Sequence, residues 1–228
     1  MKKIKLTMQL LTKAILSVML FSTFYVTAQE TSDFRVKNPP IFLEAFGGNR
    51  ALSYQMIVNK KFQSIPKLGF FGVTNLQPEW GEPQMKDYML QGNLTYSIIK
   101  GIDLETGFIW NPIDGVRPST GILFSYGNPN LLMVINPRID LSKDPNFDVL
   151  GLIEYKPKLN DKLNFYSRFQ GLYTRTLGID LHSRSYIMLR AGITIKDITF
   201  GMANNFDWYG PIKFRENNFG AFVAFNLF

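Results

Sequence analysis

His182, the only histidine of the 228-residue chain, stands close to Asp180, Ser183 and Ser185. A histidine can serve as the base that takes the proton from a serine nucleophile, provided that a third group orients the ring. Hydrolysis or transfer of an acyl group, as on a membrane lipid, is the chemistry such a cluster would do. Consecutive residues of a strand point to opposite faces, so His182 and Ser183 are poorly placed to pair; another serine, such as Ser185, would in principle do better. A lone cluster of this kind is most often a solvated histidine near a loop. No catalytic residue is therefore assigned, and His182, Ser183 and Ser185 stand as the weaker alternative.

The second set of residues able to do chemistry is ionic: Glu44, Asp103, Glu105, Arg138, Glu154, Arg168 and Arg190. All seven fall on the polar parity of otherwise apolar segments. Facing a closed interior, they would either ring a water-filled passage and select ions by charge or pair with one another and fill it. A lone charge taken from water costs on the order of several kcal/mol, so pairing is strongly favoured. Other chemistries find no residues. Without cysteine and with one histidine, a zinc site lacks its usual ligands, and no disulfide can form. No Gly-rich phosphate loop is present, and no metal or cofactor is expected. Asn93-Leu94-Thr95 has the spacing of a glycosylation acceptor, but it falls inside an expected strand.

The elements that must position these residues are strands. Period-2 alternation predicts them near 41–48, 52–62, 67–75, 88–98, 102–111, 118–126, 131–141, 147–156, 163–173, 185–195, 198–206 and 218–228. That makes twelve, with ten as the alternative count. After Tyr88, Leu90, Gly92, Leu94, Tyr96 and Ile98 share one face, while Gln91, Asn93, Thr95 and Ser97 share the other. A soluble sheet with one wet face would alternate in the same way. Two further features separate the readings. Lys100-Gly101, 127–130 and Lys196-Asp197 read as tight turns, whereas 77–87, 174–184 and 207–217 read as long connections, and short periplasmic turns alternating with longer external loops mark a membrane barrel. Aromatics also gather at the expected strand ends, Tyr88, Trp110, Tyr173, Tyr186 and Trp208 at one and Phe62, Tyr96, Tyr126, Tyr155 and Phe165 at the other, as in interfacial girdles.

The N-terminus predicts export. Lys2, Lys3, Lys5 and Lys13 precede an uncharged run from Ala14 to Val26, and Val26-Thr27-Ala28 supplies small residues for cleavage after Ala28. That run is shorter than the roughly 20 residues a spanning helix needs. Cleavage removes four lysines and no acids, leaving 21 basic against 18 acidic residues, so formal charge falls from +7 to +3. A strongly basic surface is then a property of the leader, which removes the case for nucleic acid. Lys213 and Arg215, with Glu216 beside them, read as a solvated charge run.

The final strand, from Asn218 through Phe219, Phe222 and Phe225 to Phe228, resembles the C-terminal strand of outer-membrane β-barrel proteins of Gram-negative bacteria. In that group a terminal aromatic is read by the barrel-assembly machinery, so the resemblance implies that Phe228 is the assembly signal. Asn226 departs from the pattern, since an apolar residue is usual two positions before the end; Phe225 and Leu227 carry the apolar parity instead.

The sequence thus predicts an all-β, transmembrane, antiparallel up-and-down barrel. Residues 1–28 form a signal peptide, 29–40 a periplasmic lead and 41–228 the barrel in the outer membrane. Its expected role is a small pore or a structural or accessory membrane component; the alternative is a lipid-modifying hydrolase using the rim His/Ser site. Expected partners are outer-membrane lipid, the assembly machinery, small polar solutes or ions, and a protein partner yet to be identified.

Overall fold

Alternation of apolar and polar residues along every segment dictates a sheet with two unlike faces, and closure of that sheet decides which face meets which medium. In a computed structural model that describes residues 38–227, the strands are β1 (Ile41–Gly48), β2 (Leu52–Lys61), β3 (Leu68–Leu76), β4 (Tyr88–Ile99), β5 (Ile102–Asn111), β6 (Gly115–Gly127), β7 (Leu131–Asp140), β8 (Asn146–Tyr155), β9 (Asn164–Thr176), β10 (Leu181–Ile195), β11 (Ile198–Tyr209) and β12 (Phe214–Leu227). The expected signal peptide at 1–28, most of the lead at 29–40 and Phe228 lie outside the described residues.

Each strand pairs with its sequence neighbours, and β12 returns to pair antiparallel with β1, closing a twelve-stranded barrel. The closing register sets Ile41 opposite Leu227, Glu44 opposite Ala224 and Gly48 opposite Gly220. Closure leaves no open sheet edge, which is what a sheet needs if no water is at hand to satisfy its backbone groups.

The two faces are inverted relative to a soluble protein. Outward positions are apolar and open, as in Leu94 (52% exposed), Leu104, Phe108, Ile153, Phe169 and Phe200. Inward positions are polar and closed, as in Asn136 (0%), Asn218 (0%), Arg168 and Glu44. In β12 the odd-numbered residues take the outer face, so Phe225 and Leu227 point out while Asn218 and Phe222 are buried within. Three apolar clusters interrupt the polar interior: Phe46, Tyr166, Ala203, Phe222 and Ala224; Phe71, Val73 and Leu123; and Leu150, Tyr186 and Met188.

Turn chemistry fixes the hairpins. Gly101 adopts a φ of 84° that a side chain would oppose. Asn128 and Asn160 accept backbone N–H bonds from two and three residues ahead at 2.9–3.0 Å, the short-range bonding that suits asparagine to turns.

Two expectations need correction. The segments 174–184 and 207–217 are mostly strand, with only 177–180 and 210–213 outside it. The ladder there continues past the apolar belt: inward Thr174, Arg184, Asp207 and Glu216 hold it, but the outward neighbours Arg175, Arg215 and Asn217 are polar, so half of the alternation signal disappears. Among the connections at this end, 77–87 alone is long. Tyr186 does not join an aromatic girdle either. It shares the parity of Arg190, is buried, and its hydroxyl accepts from Gln170 Nε2 at 3.0 Å.

Candidate functional site: a charged vestibule and its floor

The end of the barrel that carries the connections after the odd-numbered strands is a mouth, and a cavity of about 600 Å³ opens from it. Residues from around the whole wall line it, among them Gln55, Asn75, Arg117, Asp140, Thr174 and Tyr209. Arg117 is gripped by Asp114 at 2.8 Å and Asp140 at 3.0 Å. Arg50 joins Glu79 and Glu216 at 2.7 and 2.6 Å. Lys86, in the connection 77–87, hydrogen-bonds Glu82 at 2.7 Å, which holds its ammonium above the usual lysine range.

Arg184 ties one side of the mouth to the other. Its guanidinium donates to both oxygens of Asp87, at 2.7 and 2.8 Å, and to Asp207 at 3.0 Å, while the Tyr209 hydroxyl donates to Asp87 at 2.7 Å. A planar fork meeting a carboxylate in this way is the strongest common ion-pair geometry.

Below the mouth a buried layer forms the floor. Glu44 on β1 receives Arg168 of β9 at 3.0 Å and Arg190 of β10 at 2.8 Å, with all three side chains 1–2% exposed. Arg190 also donates to Asn205 at 2.8 Å. One carboxylate thus faces two guanidinium groups, and aromatic faces supply the remaining compensation: Arg168 lies 4.7 Å over Phe42 and Arg190 4.9 Å over Phe46. Arg138 continues the layer through Gln91 and through Asp148 at 3.3 Å. These side chains pack against one another and close the cavity from below.

The seven ionic residues singled out in the sequence all lie inside the barrel and are buried. The structure brings Glu44, Arg168 and Arg190 together. Arg138 joins Gln91 and Asp148, Asp103 pairs with Lys61 at 2.9 Å, Glu154 holds Lys156 at 2.7 Å and Tyr166 at 2.8 Å, and Glu105 receives Asn136 at 2.8 Å. Sequence reasoning missed the mouth cluster of Asp87, Arg184 and Asp207 because all three fell at the ends of segments read as connections. The alternation of Asn205, Asp207 and Tyr209 with Phe206 and Trp208 carried the signal.

His182 and Ser185 meet, whereas Ser183 stays apart from the pair. A bulge between His182 and Arg184 shifts the register, so that His182, opposite Arg175, and Ser185, opposite Tyr173, share the outward face. His182 Nδ1 lies 2.7 Å from the Gly210 carbonyl and Nε2 lies 2.6 Å from Ser185 Oγ. Since the carbonyl can only accept, Nδ1 carries a proton, and in the neutral ring Nε2 is the acceptor for the serine hydroxyl. The orienting group is a backbone carbonyl; Asp180 is engaged by Arg175.

An apolar outer belt, a polar and ion-paired interior and a closed antiparallel wall occur together where lipid surrounds a sheet. The architecture is that of an outer-membrane β-barrel. No protein-family model matches the chain, and no curated protein matches it. Among solved structures it is similar to the NanC porin, with 15% identity and a TM-score of 0.47 over 82% of this chain and 100% of that one. It is similar to the KdgM porin, with 10% identity and a TM-score of 0.46 over 82% and 99% of the two chains. For OprD of Pseudomonas aeruginosa the values are 14% and 0.40, over 79% and 61%. Likeness of this degree carries no information about cargo.

Proposed function

We propose that this protein is exported through a cleaved signal peptide at 1–28, enters the outer membrane of a Gram-negative cell with Phe228 as its assembly signal, and acts there as a narrow pore for small polar solutes or ions. In this reading the mouth faces outward, the segment 29–40 is a periplasmic lead, and outer-membrane lipid and the barrel-assembly machinery are its partners. The observation that carries the reading is the cavity that descends from the mouth onto the Glu44–Arg168–Arg190 layer: solutes collect above a charged floor, and that floor governs passage. Glu44, Asp103, Glu105, Arg138, Glu154, Arg168 and Arg190 are the lumen-lining residues.

Ion conductance of the refolded protein in a planar bilayer tests this. Stable unitary steps are expected, larger in Arg168→Ala, where a floor side chain is cut back. Silence from protein shown to be folded would overturn the pore and leave a structural or accessory role. A second reading has its own observation, the 2.6 Å contact between His182 Nε2 and Ser185 Oγ on the outward face. A lipid-modifying hydrolase would release fatty acid from phospholipid vesicles and lose that activity in both His182→Ala and Ser185→Ala; equal release by the variants would remove it.

A further inference from the structure

On the outer face of β8 to β11 lies a groove of about 560 Å³, and Lys213 is part of its lining. The floor is Gly151 and Gly171, which stand directly opposite each other. A Cβ at Gly151 would meet nothing within 4 Å. Larger outward side chains border that floor: Val149 and Tyr173 toward the mouth, Ile187 opposite Gly171, and Trp208 on β11. The register sets Val149, Tyr173, Ser185, Trp208 and Arg215 in one outward row across five strands. Arg215 therefore stands beside Trp208, with its guanidinium 5.5 Å over the Phe206 ring. Lys213, in the turn between β11 and β12, puts a second positive charge at the mouth end of the same face.

These two cations are not part of a self-compensated charge run. Glu216, next to Arg215 in sequence, faces the interior and joins Arg50 at 2.6 Å. Asp180, the acid of the turn before β10, is held by Arg175 at 2.5 Å. Lys213 and Arg215, both exposed, have no carboxylate partner among the described residues. Cations at a membrane border attract anionic headgroups, and Trp and Tyr rings favour the depth at which headgroups lie. A zwitterionic headgroup brings no net charge to this end of the groove. A second barrel docked here by a twofold axis would set the same two cations against themselves. We infer that an anionic phospholipid binds this groove, its acyl chain over the Gly151–Gly171 floor and its phosphate on Lys213 and Arg215. The site rests on the reading of the barrel as a membrane protein and requires neither the pore nor hydrolysis at Ser185.

Tryptophan quenching by brominated lipid tests this. Trp80→Phe with Trp110→Phe leaves Trp208 as the single tryptophan, at the groove. The full-length barrel is folded into phosphatidylcholine vesicles containing increasing brominated phosphatidylglycerol or brominated phosphatidylcholine. Half-maximal quenching of Trp208 is expected at an about tenfold lower mole fraction of phosphatidylglycerol. Lys213→Gly suits the turn, because its φ of 54° is one that glycine adopts freely. That variant and Arg215→Gln are each expected to raise the phosphatidylglycerol value about threefold to fivefold. Gly151→Leu, which fills the floor, is expected to abolish the preference with both cations in place. Equal quenching by the two lipids in protein inserted in the vesicles would overturn the site alone, whereas protein that does not insert would overturn the membrane reading beneath it. A preference that survives Gly151→Leu would overturn the groove and leave a diffuse attraction of charge. One that survives Lys213→Gly combined with Arg215→Gln would place the anionic lipid elsewhere.

Discussion

Arg184 and Asp87 clasp each other through two parallel hydrogen bonds of 2.7 and 2.8 Å although 97 residues separate them. Asp87 immediately precedes β4 and Arg184 lies in β10, and these strands stand on opposite sides of the closed order. The clasp is thus a strut across the mouth. It holds the inner end of the long connection 77–87 against the far wall, with Tyr209 and Asp207 bracing it. Asp87→Ala removes the carboxylate on which Arg184, Tyr209 and Gln77 converge and is expected to cost about 1–3 kcal/mol. Limited proteolysis should show faster cleavage within 77–87, with the rest of the barrel still resistant. Unchanged cleavage would mean that the connection is held by other contacts.

The Glu44 layer predicts an asymmetry between removing a charge and removing a pair. Glu44→Ala strands two buried guanidinium groups and is expected to destabilise by about 3–5 kcal/mol. Replacing Glu44, Arg168 and Arg190 together by leucine or methionine leaves no stranded charge and is expected to recover most of that loss, because a buried ion pair repays little more than its own desolvation. Lys86→Ala, at an exposed pair with Glu82, should leave the denaturant midpoint where it is. Urea titrations of the four proteins check the order. A triple variant as unstable as Glu44→Ala would show that the layer stabilises by geometry beyond charge balance.

The twelve strands were legible because each crosses an apolar belt, where lipid-type surface enforces a side chain of one kind at every second position. Beyond the belt that enforcement ends. The outer ends of β9 to β12, where Arg175, Arg215 and Asn217 point outward, read as loops although backbone pairing continues through them, with a single bulge between His182 and Arg184. The charged interior residues were legible for the same reason of parity, yet their partners were not. The meeting of Glu44 with Arg168 and Arg190, and of Asp87 with Arg184, depends on the stagger of strands three to six places apart, and no local pattern records stagger. The contact of His182 with Ser185 was hidden by a bulge, which inverts parity at one residue without a mark in the alternation.

The outer belt itself predicts a depth dependence that a water-facing sheet would not show. Leu94, half-way along β4, is expected to lose about 2–4 kcal/mol on Leu94→Arg when the barrel is folded in lipid vesicles. Val116, at the mouth end of β6 and 64% exposed, is expected to lose about 0–1 kcal/mol on Val116→Arg. Unfolding midpoints in vesicles measure both. Equal small effects would remove the membrane from around this belt.

Glycines on the two faces predict opposite outcomes for one added methyl group. Gly121 faces the interior, and a Cβ there would lie 2.6 Å from the Pro137 carbonyl oxygen and 2.7 Å from Arg138 Cβ, backbone-anchored atoms that cannot easily withdraw. Gly121→Ala is therefore expected to destabilise by about 1–3 kcal/mol through overpacking. Gly151 faces outward, directly opposite Gly171 on β9, and a Cβ there would meet nothing within 4 Å. Because glycine weakens a strand interior relative to alanine by roughly 0.5–1 kcal/mol, Gly151→Ala is expected to stabilise by a comparable amount. The pair of variants, compared by urea midpoint in the same vesicles, separates a wall that is tight inside and open outside from one that is uniformly packed: in the latter case both substitutions would destabilise.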